Sequence, residues 1–319
     1  MIKNRKDARR RKDMMQRIIL DVDTGLDDAV ALILAAGSDT IQIEGVVATS
    51  GNMGLERTLE NTLNVCEVLG IQAPVFAGEA HPLVRELVHA GDFHGKSGLD
   101  GPVFAPRKNQ QVQTKQGVQF IIDTILANPG QIVLVPTGPL TDIALAMQKE
   151  PRVAKLVKQI VLMGGSFIGG NVTKEAEFNA YADPEAAQIV FSSGADLVMF
   201  PLDCTTKVTL SDVQLDRYKT FKGEGASLFC ACMKTYMDNY RRQGKGFPVM
   251  HDPLCVAYVI DPRRFTLTRH EVSVELEQDE TYGKTIRGKD CETGGVLVAN
   301  HADTDFFWEE MDKALKNLH

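Results

Sequence analysis

Apolar residues in this chain follow two alternating rhythms. Short continuous runs of Ile, Val and Leu give way to longer stretches in which apolar residues recur every three or four positions. The first rhythm predicts strands buried on both faces, the second amphipathic helices. Ile18-Ile19-Leu20 opens the series as a strand, and the Ala-rich stretch after Asp28 reads as a helix. Ile41 to Ala48 reads as a second strand, Leu55 to Leu69 as a helix, and Val75 to Gly78 as a short strand entering a long glycine-containing loop. Helices over Gly117 to Ala127 and Leu140 to Lys149 flank a strand over Gln131 to Val135. Lys158 to Met163 and Leu197 to Pro201 read as strands, with a helix opened by Asp183-Pro184-Glu185 between them. Asp is a good N-cap there, and Pro suits the first helical position. Residues 211 to 247 read as a polar, partly helical surface excursion. A helix follows over Leu254 to Ile260, then strands over Glu271 to Glu277 and Gly295 to Ala299, and a closing helix from Asp303 to Leu318.

Strand and helix in alternation predict βαβ units and an α/β fold with an open, mostly parallel sheet. No repeat or linker divides the pattern, so one domain is expected over 15–319. Residues 1–14 carry Lys3, Arg5, Lys6, Arg9, Arg10, Arg11 and Lys12 without an apolar core, and are expected to form a disordered basic extension.

Composition narrows the field of partners. The net charge of −7 argues against nucleic acid as the main partner. No run of apolar residues is long enough for a membrane span. The six cysteines are scattered without a Cys-x-x-Cys pair, which suits a reduced, cytoplasmic protein.

The chemistry begins where the first strand ends. Asp21, Asp23, Asp27 and Asp28 lie within one turn, interrupted by Thr24-Gly25. Ligands bind at the C-terminal ends of strands in such sheets. That many carboxylates need a hard cation, and oxygen-only ligands favour calcium or magnesium. Other loops expected on the same edge carry Asn52, Thr137, Met163, Asn171, Glu177, Asn179, His251 and Asp252. The set is rich in hydrogen-bonding oxygens and amides and lacks a basic residue, which suits a polyhydroxylated neutral ligand better than an anion. Tyr236, Tyr240 and Arg241 are further candidates for the pocket wall.

Six segments in order carry a family resemblance: DVDTGLDDAVAL, FHGKSGLDG, VPTGPLTDIA, LMGGSF, AEFNAYADPEAA and MHDPLCVA. The chain resembles the inosine-uridine-preferring nucleoside hydrolases from about Arg17 onward. The resemblance implies a calcium ion held by Asp23, Asp28, Asp252 and the main-chain carbonyl of Thr137. It implies Asp23 as general base, Asp27 on the ribose 2′-hydroxyl, Asn171 and Asp252 on the diol, and Glu177 and Asn179 on the 5′-hydroxyl. Asn52 would lie beside water and ribose, and Met163 in the substrate site. His251 would serve the leaving base and His94 would contact it. The implied reaction is hydrolysis of a ribonucleoside to ribose and free base, in a homotetramer or homodimer. This chain has Asp-Val-Asp-Thr-Gly where the family usually has Asp-Thr-Asp-Pro-Gly, keeping both acids and the glycine. The purine-specific branch stacks the base between tryptophans, whereas the one tryptophan here, Trp308, lies in the closing helix. Both His94 and His251 are present, so pyrimidine nucleosides, alone or with inosine, are the expected substrates.

Two rival readings remain at this stage. A haloacid-dehalogenase-type phosphatase also begins with a strand and Asp-x-Asp, but wants Thr or Val where this chain has Gly25. A non-catalytic nucleoside sensor would share the binding residues. Gly91 to Ser97 imitates a phosphate-binding loop but is one residue short between its glycines.

Overall fold

The computed structural model describes residues 15–90 and 93–318, so the basic extension over 1–14 lies outside the described residues. The strands are β1 (Gln16–Val22), β2 (Ile41–Ala48), β3 (Val75–Ala77), β4 (Ile132–Pro136), β5 (Gln159–Met163), β6 (Leu197–Phe200), β7 (Phe265–Val274), β8 (Thr285–Asp290) and β9 (Val296–Ala302). The helices are α1 (Leu26–Gly37), α2 (Leu55–Val68), α3 (Gly117–Ala127), α4 (Thr141–Lys149), α5 (Arg152–Leu156), α6 (Phe178–Ala182), α7 (Pro184–Phe191), α8 (Leu202–Thr205), α9 (Asp212–Tyr218), α10 (Glu224–Arg242), α11 (Pro253–Ile260) and α12 (Thr304–Asn317).

All nine strands join one sheet in the order β3-β2-β1-β4-β5-β6-β9-β7-β8. Pairing is parallel from β3 through β9, and β7 is antiparallel to both β9 and β8. The fold is therefore α/β with an open, mostly parallel sheet.

Alternation along β1 divides the interior into two cores. Ile18, Leu20 and Val22 face one, with α1, α10, α11 and α12; Ile19 faces the other, with α3, α4 and α7. Helix α1 is buried around nearly its whole circumference because α10, α11 and α12 all pack on it. At Gly37 an added Cβ would lie 2.5 Å from the Ala314 backbone, so α1 and α12 approach closely only because that position is glycine.

Three elements differ from the sequence reading. β7 begins at Phe265 and alternates buried with exposed residues, and β8 is an exposed edge strand that the sequence pattern did not announce. The stretch read as a polar excursion contains α10, a 19-residue helix whose Phe229, Cys232, Met233, Tyr236 and Met237 form a buried stripe.

The strand order reverses direction at β1. Successive connections lead outward from β1 to β2 and β3, then return to β4 on its other side. The crevice beyond the carboxyl ends of β1 and β4 is the expected ligand position in such a sheet.

Candidate active site

Asp23 follows β1 and Thr137 follows β4, so both stand at that crevice. The Asp28 carboxylate links three loops there. Its Oδ2 accepts from the Gly25 amide at 2.9 Å and from the Asn52 side chain at 3.3 Å, while Oδ1 accepts from the Thr137 hydroxyl at 2.7 Å. Asp23 Oδ2 accepts from the Asn52 amide at 2.7 Å. Asn179 donates to the main-chain carbonyls of Thr137 at 2.7 Å and Met163 at 3.1 Å. Glu177 caps α6, accepting from the amides of Gly165, Asn179 and Ala180.

These residues border a cavity of about 610 Å³, of a size that suits a small-molecule ligand. Its wall includes Asp23, Asp27, Asn52, His94, Thr137, Met163, Asn171, Glu177, Asn179, His251 and Asp252, eleven of the twelve residues expected to hold metal or substrate or to act in catalysis. Asp28 is the twelfth and is fully buried behind the wall. Asn171 is exposed at the mouth, where its Oδ1 accepts from the Phe178 amide at 2.9 Å.

The acidic end is electrostatically loaded. Carboxylate oxygens of Asp27, Asp28 and Asp252 lie within 4.8 Å of one another. Burial and then the Asp28 charge push Asp27 up to about 8. Burial and the charges of Asp27, Asp28 and Asp23 hold Asp252 well above the usual carboxylate range. Asp23 is raised likewise, by burial and then by Asp28. Three buried acids around one point, with the Asp23 carboxyl near enough to feel the charges of Asp28 and Asp27, fit a hard cation, which would remove the repulsion and accept all-oxygen ligands. The closest carboxylate triad contains Asp27, whereas the expected ligand set contained Asp23.

Asp21 is excluded from this cluster. As the next inward residue of β1 it faces α4, where Asp142 Oδ1 accepts from the Glu79 amide at 2.8 Å. Burial and then the Asp142 charge raise Asp21 far above its ordinary value, and burial pushes Asp142 up to about 7. Both carboxyls therefore favour the protonated form more than a solvated aspartate does. The residue that a phosphatase would use as nucleophile is thus absent from the cavity wall.

The opposite end of the cavity is aromatic and imidazole-rich. His94 stacks on Tyr236 with centroids 5.9 Å apart, and Tyr236 meets Tyr240 edge-on at 5.0 Å. The main-chain amide of Leu26 donates to His94 Nδ1 at 3.0 Å. An amide can only donate, so a neutral His94 carries its proton on Nε2. Burial lowers His94 to about 4, and burial with the charges of His94 and Lys245 lowers His251 to about 3, so both rings are neutral at pH 7. The loop that holds His94 is pinned by Asp100, which accepts from the amides of Lys96 and Ser97. Those two amides are spent internally and are not free to cradle a phosphate, while Gly91 and Asp92 of the same segment lie outside the described residues.

The sequence reading missed part of the wall. Lys245 reaches the aromatic end, its Nζ 4.2 Å from the Phe93 ring centroid, and Lys174 borders the mouth, so the cavity does contain basic residues. Only their tertiary position reveals them. Tyr236 and Tyr240 line the cavity, but Arg241 turns outward to pair with Asp212. Trp308 packs on Tyr218 and Phe307 and is not part of the wall.

A parallel sheet whose switch-point crevice joins an acidic, oxygen-rich end to an imidazole-aromatic end has the form of a nucleoside-processing hydrolase. Comparison with known proteins agrees. The family model for inosine-uridine preferring nucleoside hydrolases matches residues 18–309. The pyrimidine-specific ribonucleoside hydrolase RihB of Escherichia coli (strain SE11) is 40% identical over 312 residues, covering 94% of this chain and 97% of that protein. The purine-preferring ribonucleoside hydrolase from Gardnerella vaginalis superposes with a TM-score of 0.88 at 31% identity, covering 94% of this chain and 98% of the other. A plant nucleoside hydrolase, PpNRh1, superposes with a TM-score of 0.86 at 28% identity, covering 94% and 99%. The chain belongs to the inosine-uridine preferring nucleoside hydrolase family. It is an enzyme that hydrolyses N-glycosidic bonds of ribonucleosides.

Proposed function

We propose that the enzyme cleaves pyrimidine ribonucleosides, with inosine as a further substrate, to ribose and free base, and that it does so with calcium. The observation that carries this reading is the two-ended cavity, with buried carboxylates at one end and two neutral imidazoles beside tyrosines at the other. The similarity to a pyrimidine-specific relative supports the choice of base.

Asp23, Asp28, Asp252 and the carbonyl of Thr137 are the proposed calcium ligands. Asn179 uses one lone pair of that carbonyl, which leaves the second. Calcium, when bound, would supply positive charge that makes a nearby water easier to deprotonate.

Asp23 takes the proton from the attacking water. The water oxygen joins C1′ as the bond from C1′ to the base nitrogen breaks, and the electron pair leaves with the base, which acquires a proton. Positive charge gathers on the sugar at the transition state, as in other glycoside hydrolyses. Fixed carboxylates stabilise that charge without reorganising. Asp27 holds the 2′-hydroxyl, Asn171 and Asp252 the diol, and Glu177 and Asn179 the 5′-hydroxyl. Asn52 orients Asp23 through its amide, and Met163 closes the floor under the ribose. These grips convert binding energy remote from C1′ into orientation at C1′. His251 and His94 meet the base, whose developing negative charge their N–H groups offset.

Ribose release from uridine, cytidine, inosine, adenosine and guanosine tests the reading. Uridine and cytidine are expected to lead, with inosine slower and adenosine and guanosine poor. Preference for adenosine or guanosine would overturn the pyrimidine assignment.

A further inference from the structure

Helix α8 begins just beyond β6 and ends at Thr205, with Thr206 as its C-cap, and these two adjacent threonines behave differently. Thr206 does what threonine commonly does in a helix, donating to the carbonyl four residues back, that of Leu202, at 2.7 Å. Thr205 is fully buried, and its hydroxyl instead meets Nδ1 of His251 at 2.8 Å, across 46 residues of chain. Among the described residues this nitrogen is the only hydrogen-bond partner of the Thr205 hydroxyl. A buried hydroxyl left without an acceptor for its proton loses free energy, so the proton goes to Nδ1. A neutral imidazole has one N–H, and an Nδ1 that accepts leaves the proton on Nε2.

We propose that Thr205 is a positioning residue for the leaving base: its hydroxyl fixes His251 as the tautomer that presents Nε2–H to the cavity. The inference rests on the reading that His251 serves the base. Thr205 does for His251 what the Leu26 amide does for His94, so both rings offer donors from the same end of the cavity. Two donors suit a base with an acceptor close to the scissile bond. Uracil and cytosine share such a group, the C2 carbonyl beside the glycosidic nitrogen. Thr205 therefore favours neither pyrimidine over the other.

Thr205→Val keeps the shape and removes the hydroxyl, and Thr205→Ser keeps the hydroxyl. Without the bond the ring is free to place its proton on Nδ1, with Nε2 then an acceptor facing a base that also presents acceptors. Thr205→Val is expected to lower kcat on uridine and cytidine roughly 10- to 100-fold, at or below the low end of the range for a general acid. Turnover of p-nitrophenyl riboside, whose leaving group needs little help, should stay within about twofold, which also shows that the variant is folded. Thr205→Ser should recover most of the loss. Unchanged uridine turnover in Thr205→Val, an equal loss on both substrates, or no recovery with serine overturns the proposal. The parent enzyme gives an independent reading: two-bond 15N–1H correlations of His251 should show the proton on Nε2, and a proton on Nδ1 refutes it without any variant. A parent enzyme that cleaves no nucleoside counts against the proposed function, whereas an active parent with an indifferent Thr205→Val counts against Thr205 alone.

Discussion

The main-chain amide of Leu26 donates to Nδ1 of His94 at 3.0 Å, joining the first turn of α1 to a loop 68 residues away. The bond needs a neutral ring with a lone pair on Nδ1. Protonation therefore breaks it, and burial already lowers His94 to about 4.

Linkage gives this a sign. An unfolded histidine titrates near 6.5, so between about 6.5 and 4 the unfolded chain binds the proton that folded His94 refuses. The His94 contribution is present above about pH 6.5 and is lost as pH falls toward 4, on the order of 2 kcal/mol by pH 4.5. Melting temperature measured from pH 7 to 4.5 should fall more steeply for the parent protein than for His94→Gln. Parallel curves would contradict the assignment.

Gly25 makes the Leu26–His94 contact sterically possible. A Cβ there would lie 2.5 Å from His94 Nδ1 and 2.7 Å from the Asn52 side-chain nitrogen. Both side chains border the cavity. Gly25→Ala should cost about 1–3 kcal/mol through overpacking. It should also lower kcat/KM on uridine at least tenfold. Thermal melting and steady-state kinetics on the same preparation check the two effects separately.

Asp142 offers the opposite pH dependence. Its folded value, about 7, lies above that of an unfolded aspartate. The fold favours the protonated carboxyl, beside Asp21, and that stability is lost as pH rises from about 4 through 7. Asp142→Asn keeps the size and donates without a titrating proton. Its melting temperature should change less than that of the parent between pH 5 and 8. An equally steep dependence in the variant would place the titration elsewhere.

Asp23→Asn preserves an acceptor for the Asn52 amide while removing the base. kcat on uridine should drop by about 10²–10⁴, with folding intact by circular dichroism. Near-normal turnover would show that another group takes the proton from water.

The parts visible in the sequence share a physical cause. β1, β4, β5 and β6 are buried on both faces, so their signal is a plain apolar run that needs no tertiary knowledge. β8 is exposed at all but its first residue, so nothing in Thr-Ile-Arg-Gly-Lys-Asp separates it from a loop. The buried stripe of α10 is diluted by Lys234, Asp238 and Arg241, and only its packing against α1 reveals which face is core. Acidic residues were found easily because their density is unusual. Which of them converge is a tertiary property, since Asp252 joins Asp27 and Asp28 from a loop far along the chain. Thr205 and Lys245 carried no signal at all, since a threonine in a helix and a lysine in a glycine-rich turn acquire meaning only from the rings beside them.

Hydrolysis of uridine before and after removal of divalent cations is the most direct test of the central claim. Three buried carboxylates held around one point, with Asp23 beside them, should leave the stripped enzyme without measurable turnover, and added calcium should restore it. Full activity in protein shown by elemental analysis to be free of metal would contradict the account.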